Sequence, residues 1–140
     1  MKRFLALLFV LGLVMTACGS DDPGDGGDTS AESCDDPSPA AELADVPEGF
    51  PQPDGTTYTG GDQAGPSFIA QGYFDGNLQT AFDDYHAAFE DAGYDITKDE
   101  IEEHDAEVFF AGEGTTGQVN LYADLDCSTN TKLRVTIRPD

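Results

Sequence analysis

Cys18, Cys34 and Cys127 are the three thiols of the chain, and His86 and His104 its two imidazoles. Each type could do chemistry only in the right company. A nucleophilic cysteine needs a neighbour that lowers its pKa, and nothing basic adjoins Cys34 or Cys127. A histidine metal pair needs a third ligand brought close by the fold, and the spacing of His86 and His104 supplies none. Carboxylates number 28, so paired acids single out no hydrolytic site. No Gly-x-Ser-x-Gly, His-Glu-x-x-His or phosphate loop occurs. The reading is of a chain without catalytic, cofactor or metal residues. Cys18 differs from the other two cysteines: it closes Met15-Thr16-Ala17-Cys18, where the only long apolar run meets a polar region.

The elements around Cys18 give that position its meaning. Met1-Lys2-Arg3 is a short basic start, and Phe4 to Met15 is an apolar core of secretory length. A bilayer-spanning helix needs ~20 apolar residues, so this run is too short to be a stable span. Thr16 and Ala17 are the small side chains that a peptidase cleaving before a cysteine requires. The arrangement resembles the lipobox signal of bacterial lipoproteins, in place of an ordinary signal peptide with a chance cysteine. The resemblance implies a thioether-linked lipid on Cys18 and removal of residues 1–17. It also implies an extracytoplasmic protein anchored to the cell membrane, with the membrane as its first partner.

Export has consequences for the other two thiols. In an oxidising compartment Cys34 and Cys127 are expected to pair, the alternative being two free buried cysteines. Closing so long a loop stabilises by roughly 4–5 kcal/mol in the chain-entropy account.

The formal charge is −22, with 28 acids against 6 bases. Without residues 1–17 only Lys98, Lys132, Arg134 and Arg138 remain basic, a side-chain sum of −24. Such a surface repels phosphate backbones, which argues against a nucleic-acid partner. It also repels anionic headgroups, so the lipid and not a basic patch must hold the protein at the membrane. The scattered acids suit solubility in high salt. Loose cation binding is the alternative, but Asp21 to Asp28 lacks an EF-hand frame, and after Asp124-Leu125-Asp126 the Gly and closing Glu are missing.

Residues 18–45 are rich in Asp, Gly, Ser and Pro and read as a flexible acidic tether. Residues 46–140 read as one small domain. Val46 to Gly55, with three prolines, favours an extended path, and Phe50 is expected to plug into the domain edge. Thr56–Gly60 is a first strand, residues 61–66 a turn, and Ser67–Phe74 a second strand with Phe68, Ala70, Gly72 and Phe74 inward. Asn77 caps a helix over Leu78–Ala92 with an apolar stripe of Leu78, Phe82, Tyr85 and Phe89. Gly93 and Tyr94 promise a Schellman ending.

Tyr94–Thr97 is a third strand and Asp99–Asp105 an acidic turn. Glu107–Ala111, apolar on both faces, is expected at the sheet centre. Gln118–Ala123 and Lys132–Arg138 alternate cleanly, with Val119, Leu121, Leu133, Val135 and Ile137 inward. This pattern from residue 46 onward resembles small lipoproteins of high-GC Gram-positive bacteria, a likeness that implies no activity.

The expected fold is α+β: a single antiparallel sheet of about five or six strands with one helix packed on one face. The other face would carry Lys132, Arg134 and Arg138 in one row. That row is the most distinctive surface feature. It reads either as charge pairing or edge protection, or as a docking strip for an acidic group on an envelope protein or glycan. The expected function is a non-catalytic binding or assembly module of the cell envelope. A cation-dependent carboxylate enzyme and a structural acidic coat are the alternatives.

Overall fold

The computed structural model describes Cys34, residues 37–40 and residues 46–140. The expected signal segment 1–17, Cys18 and most of the expected tether lie outside the described residues.

Six strands and one helix follow in the order β1 (Thr56–Ala64), β2 (Ser67–Asp75), α1 (Leu78–Asp91), β3 (Asp95–Ile101), β4 (Asp105–Gly112), β5 (Thr115–Ala123) and β6 (Asn130–Pro139). They form a single six-stranded sheet in the spatial order β1-β2-β6-β5-β4-β3, and every neighbouring pair is antiparallel. The fold is therefore α+β. A leading hairpin and a closing four-stranded meander are joined by the β2–β6 pairing. α1 carries the chain from the second position in the sheet to the far edge, and packs on β3, β4, β5 and β6.

Local chemistry explains the helix. The Asn77 side chain accepts from the Thr80 N–H at 3.0 Å, satisfying a donor that the first turn leaves free. At the other end Gly93 takes a φ of +81°, which a side chain would resist. Tyr94 N–H then reaches Phe89 O at 2.9 Å and Gly93 N–H reaches Glu90 O at 3.0 Å, the two bonds of a Schellman motif. The buried stripe is Leu78, Ala81, Tyr85 and Phe89. The expected Phe82 is only partly buried and turns its ring toward His86, while small Ala81 takes the place against the sheet. A methyl there lets the helix backbone approach.

The core lies between α1 and the sheet. Phe89 stacks on Phe110 with centroids 4.3 Å apart, and Phe50 and Tyr94 meet both rings edge-on. Phe50 thus sits inside the core and not at its margin, which fastens the proline-rich segment before β1. Gly117 on β5 pairs with Phe110 on β4, and a Cβ there would collide with that ring and with Thr136 O. The missing side chain is what lets the ring lie flat.

Three expectations are corrected. β1 runs on to Ala64, so the expected turn over residues 61–66 is ladder up to Ala64, and the reversal is confined to Gly65 and Pro66. A bulge between Tyr58 and Gly60 absorbs the extra residue on this edge strand. β3 likewise extends to Ile101, since acidic residues tolerate a solvated edge, and the acidic turn shrinks to residues 102–104. β4 is not at the sheet centre but beside the edge strand β3. Its apolar outer residue, Phe109, is explained by Lys98, whose Nζ stands over the ring 5.4 Å from its centroid.

A candidate binding face

The uncovered side of the sheet is assembled by register. On β6, Thr131, Leu133, Val135 and Ile137 point to the helix and are buried, so Lys132, Arg134, Thr136 and Arg138 point away. The ladders then set each of these in a cross-strand row. Lys132 lies between Tyr73 and Tyr122, Arg134 between Gln71 and Asn120, Thr136 between Ile69 and Gln118, and Arg138 beside Thr116. Beyond β5 the same face turns acidic, with Asp105 and Glu107 on β4 and Glu100 on β3.

The expected basic row is therefore one feature in space, but its members differ. Lys132 Nζ is 3.0 Å from the mostly covered Asp124 carboxylate. Burial alone would raise that carboxyl. The hydrogen bond from Lys132, the N–H groups of Asp126 and Cys127 and the Lys132 charge outweigh it and hold Asp124 below its ordinary value. The hydrogen bond to Asp124 in turn raises Lys132, against the pull of desolvation. Lys98, on β3, is similarly engaged, 2.9 Å from Glu100 and 4.0 Å from Glu107. Arg138 donates from Nε to Ser67 Oγ at 3.3 Å, a neutral partner that orients the guanidinium without neutralising it. Among the described residues neither Arg134 nor Arg138 has a carboxylate partner.

This sorts the readings of the row. Charge pairing accounts for Lys132. Edge protection accounts for none of it, because β6 is an interior strand flanked by β2 and β5. Among the described residues the two arginines remain as cations without a carboxylate on an interior strand, Arg134 midway along β6 and Arg138 near its end.

Next to Arg138 the face dips into a groove of about 390 Å³. Thr97, Phe109, Thr116, Gln118, Thr136 and Arg138 line it. The groove was not legible in the sequence, because it depends on which side chains of four different strands fall in adjacent rows. The role of Ser67 was hidden for the same reason. The histidines are not part of this face: His86 Nδ1 lies 3.4 Å from Glu90 on α1, and His104 Nε2 lies 3.8 Å from Glu103. No group of three or more His, Cys, Asp or Glu suited to a metal occurs among the described residues.

Cys34 and Cys127 stand at disulfide distance, with Cα atoms 5.6 Å apart. Ala40 N–H also donates to Tyr58 O at 2.8 Å, so the stretch from Cys34 to Ala40 touches the domain at both its ends. Compared with protein-family models, curated proteins and solved structures, the chain has no match.

Proposed function

We propose that the chain is a lipid-anchored, extracytoplasmic, non-catalytic binding module of the cell envelope, and that the open sheet face is its binding surface. One observation carries the second part: among the described residues Arg134 and Arg138 have no carboxylate partner on an interior strand, in a chain where acids outnumber bases 28 to 6. With so many carboxylates available, leaving both guanidinium groups unpaired is consistent with an anionic partner supplied from outside.

Support for the anchor comes from the residues up to Cys18, and the cysteine pair fits the oxidising compartment that the anchor implies. Among the described residues no helix is long and apolar enough to cross a membrane.

Two measurements test the reading. Mass analysis of the N-terminal peptide should find residues 1–17 removed and an acylated Cys18; an unmodified thiol there refutes the anchor. Crosslinked envelopes should yield a specific partner that disappears with the double charge reversal Arg134→Glu and Arg138→Glu. Undiminished capture by a folded double variant refutes the binding face.

A further inference from the structure

We infer that the groove beside Arg138 takes a mostly neutral glycan bearing an isolated carboxylate, with the carboxylate on the Arg138 guanidinium and the sugar hydroxyls along Thr116, Gln118 and Thr136. This rests on the reading of the open face as a binding surface and names its ligand class.

Four observations select that chemistry. First, the cation is pre-oriented. Ser67 holds Arg138 Nε, which leaves both Nη groups for a planar, two-pronged acceptor, and a carboxylate is one. Second, the charge is single. Among the described residues Arg138 is the only charged residue lining the groove; outward of it stand Glu107, Glu100 and Asp95, and the one cation there, Lys98 over Phe109, is already held by Glu100 and Glu107. A polyanion would meet these carboxylates and the field of a −22 chain, whereas one carboxylate among neutral groups meets only the arginine.

Third, the remaining polar lining is made of groups that both donate and accept: the hydroxyls of Thr97, Thr116 and Thr136 and the amide of Gln118. Sugar hydroxyls have the same dual character. The part of half-buried Phe109 that Lys98 leaves open adds an apolar patch for C–H groups of a sugar.

Fourth, size and polarity speak against a protein partner. A groove of about 390 Å³ lies at the small end of ligand sites. The apolar side chains of the face, Ile69, Tyr73, Phe109 and Tyr122, are spread over separate positions with polar or charged groups between them. They do not form the contiguous apolar centre of a stable protein interface.

The test titrates the purified full chain in mild detergent, by calorimetry and by amide chemical shifts, with four probes. These are a disaccharide of glucuronic acid and one neutral sugar, cellobiose, polygalacturonate and tetraglutamate. The uronic disaccharide should bind at about millimolar strength, at least tenfold tighter than cellobiose. Shifts should centre on Thr116, Gln118 and Thr136. Arg138→Gln should weaken binding at least tenfold. Arg138→Lys, which keeps the charge and loses the fork, should weaken it by less. Equal binding of cellobiose overturns the inference, as does binding indifferent to both Arg138 variants in folded protein. Tighter binding of polygalacturonate per uronate overturns the isolated-charge requirement and with it the inference. Tetraglutamate binding through Arg138 with no sugar binding overturns the glycan and leaves the open face as a docking surface. Silence from all four probes overturns the glycan too, and the charge-reversal capture separately decides the face.

Discussion

Cys34 and Cys127, 93 positions apart in the chain, are brought to a Cα separation of 5.6 Å, with the Thr129 hydroxyl 3.4 Å from each sulfur. Cys127 lies in the β5–β6 connection and Cys34 precedes the whole domain, so a bond between them closes a loop that holds β1 to β5 and α1 and leaves β6 outside. In the chain-entropy account a loop of this length stabilises by about 4–5 kcal/mol. Replacing both cysteines by serine should lower the urea midpoint correspondingly without changing the far-ultraviolet spectrum. Alkylation of the unreduced, unfolded protein should label neither cysteine; labelling of both would show that the bond is not made.

The Phe89–Phe110 stack is the centre of the core, and its flatness depends on Gly117. Phe110→Ala should cost about 3–5 kcal/mol through lost burial and the cavity left behind. Gly117→Ala should cost about 1–3 kcal/mol for the opposite reason, overpacking against the ring and Thr136 O. Chemical denaturation of the two variants checks both. A neutral Gly117→Ala would mean that both the ring and the β6 backbone at Thr136 can yield.

Tyr58 is buried to 5% exposure, and among the described residues its hydroxyl has no partner at hydrogen-bond distance; the nearby Tyr85 OH is itself 3.1 Å from Thr56 Oγ1. Burial pushes the Tyr58 hydroxyl above its ordinary pKa, and the neighbouring Tyr85 hydroxyl offsets only part of that rise. An unpaired buried hydroxyl carries a desolvation penalty of about 1–3 kcal/mol. Tyr58→Phe should therefore leave stability unchanged or raise it by up to about 1 kcal/mol, whereas Tyr85→Phe, which orphans Thr56, should lower it. Thermal melting of the two variants side by side distinguishes them.

The Asp124–Lys132 pair sets a pH dependence. The folded-state pKa of Asp124 lies below its ordinary value, so its contribution is present above the ordinary aspartate range and is lost as pH falls through the depressed folded value. Lys132 is raised, so its share is present below the ordinary lysine range and is lost as pH climbs through the folded value. Asp124→Asn should flatten part of the acid limb of a stability-against-pH curve and remove the Lys132 share of the alkaline limb. Urea midpoints taken across both ranges check this; an unchanged acid limb would show the pair to be energetically idle.

Much of the domain was legible because local rules and the fold agree. Asn77 capping α1, the Gly93-Tyr94 ending and the alternation in β6 each rest on interactions within a few residues, or on a period of two that only one buried face can satisfy. Misreadings arose where tertiary neighbours overrode local signals. Residues 61–64 and 99–101, with their glycine and acids, look like turns in isolation. They are strand because a partner ladder supplies hydrogen bonds and an edge position keeps the carboxylates wet. Phe109 suggested a central strand because its cover, Lys98, arrives from a neighbour that periodicity does not reveal.

The α+β class, the helix and its caps, the inward face of each clear strand and the three bases on one face of the last strand could all be read from the residues alone. These follow from periodicity and cap chemistry, which are local. Strand order and packing were needed to show that this strand lies inside the sheet, that Asp124 takes Lys132 while Arg134 and Arg138 have no carboxylate partner among the described residues, and that Ser67 aims Arg138 beside a groove. Those facts depend on strand order and register. Both are set by which distant segments bury their apolar faces against one another, and no spacing along a single strand encodes them.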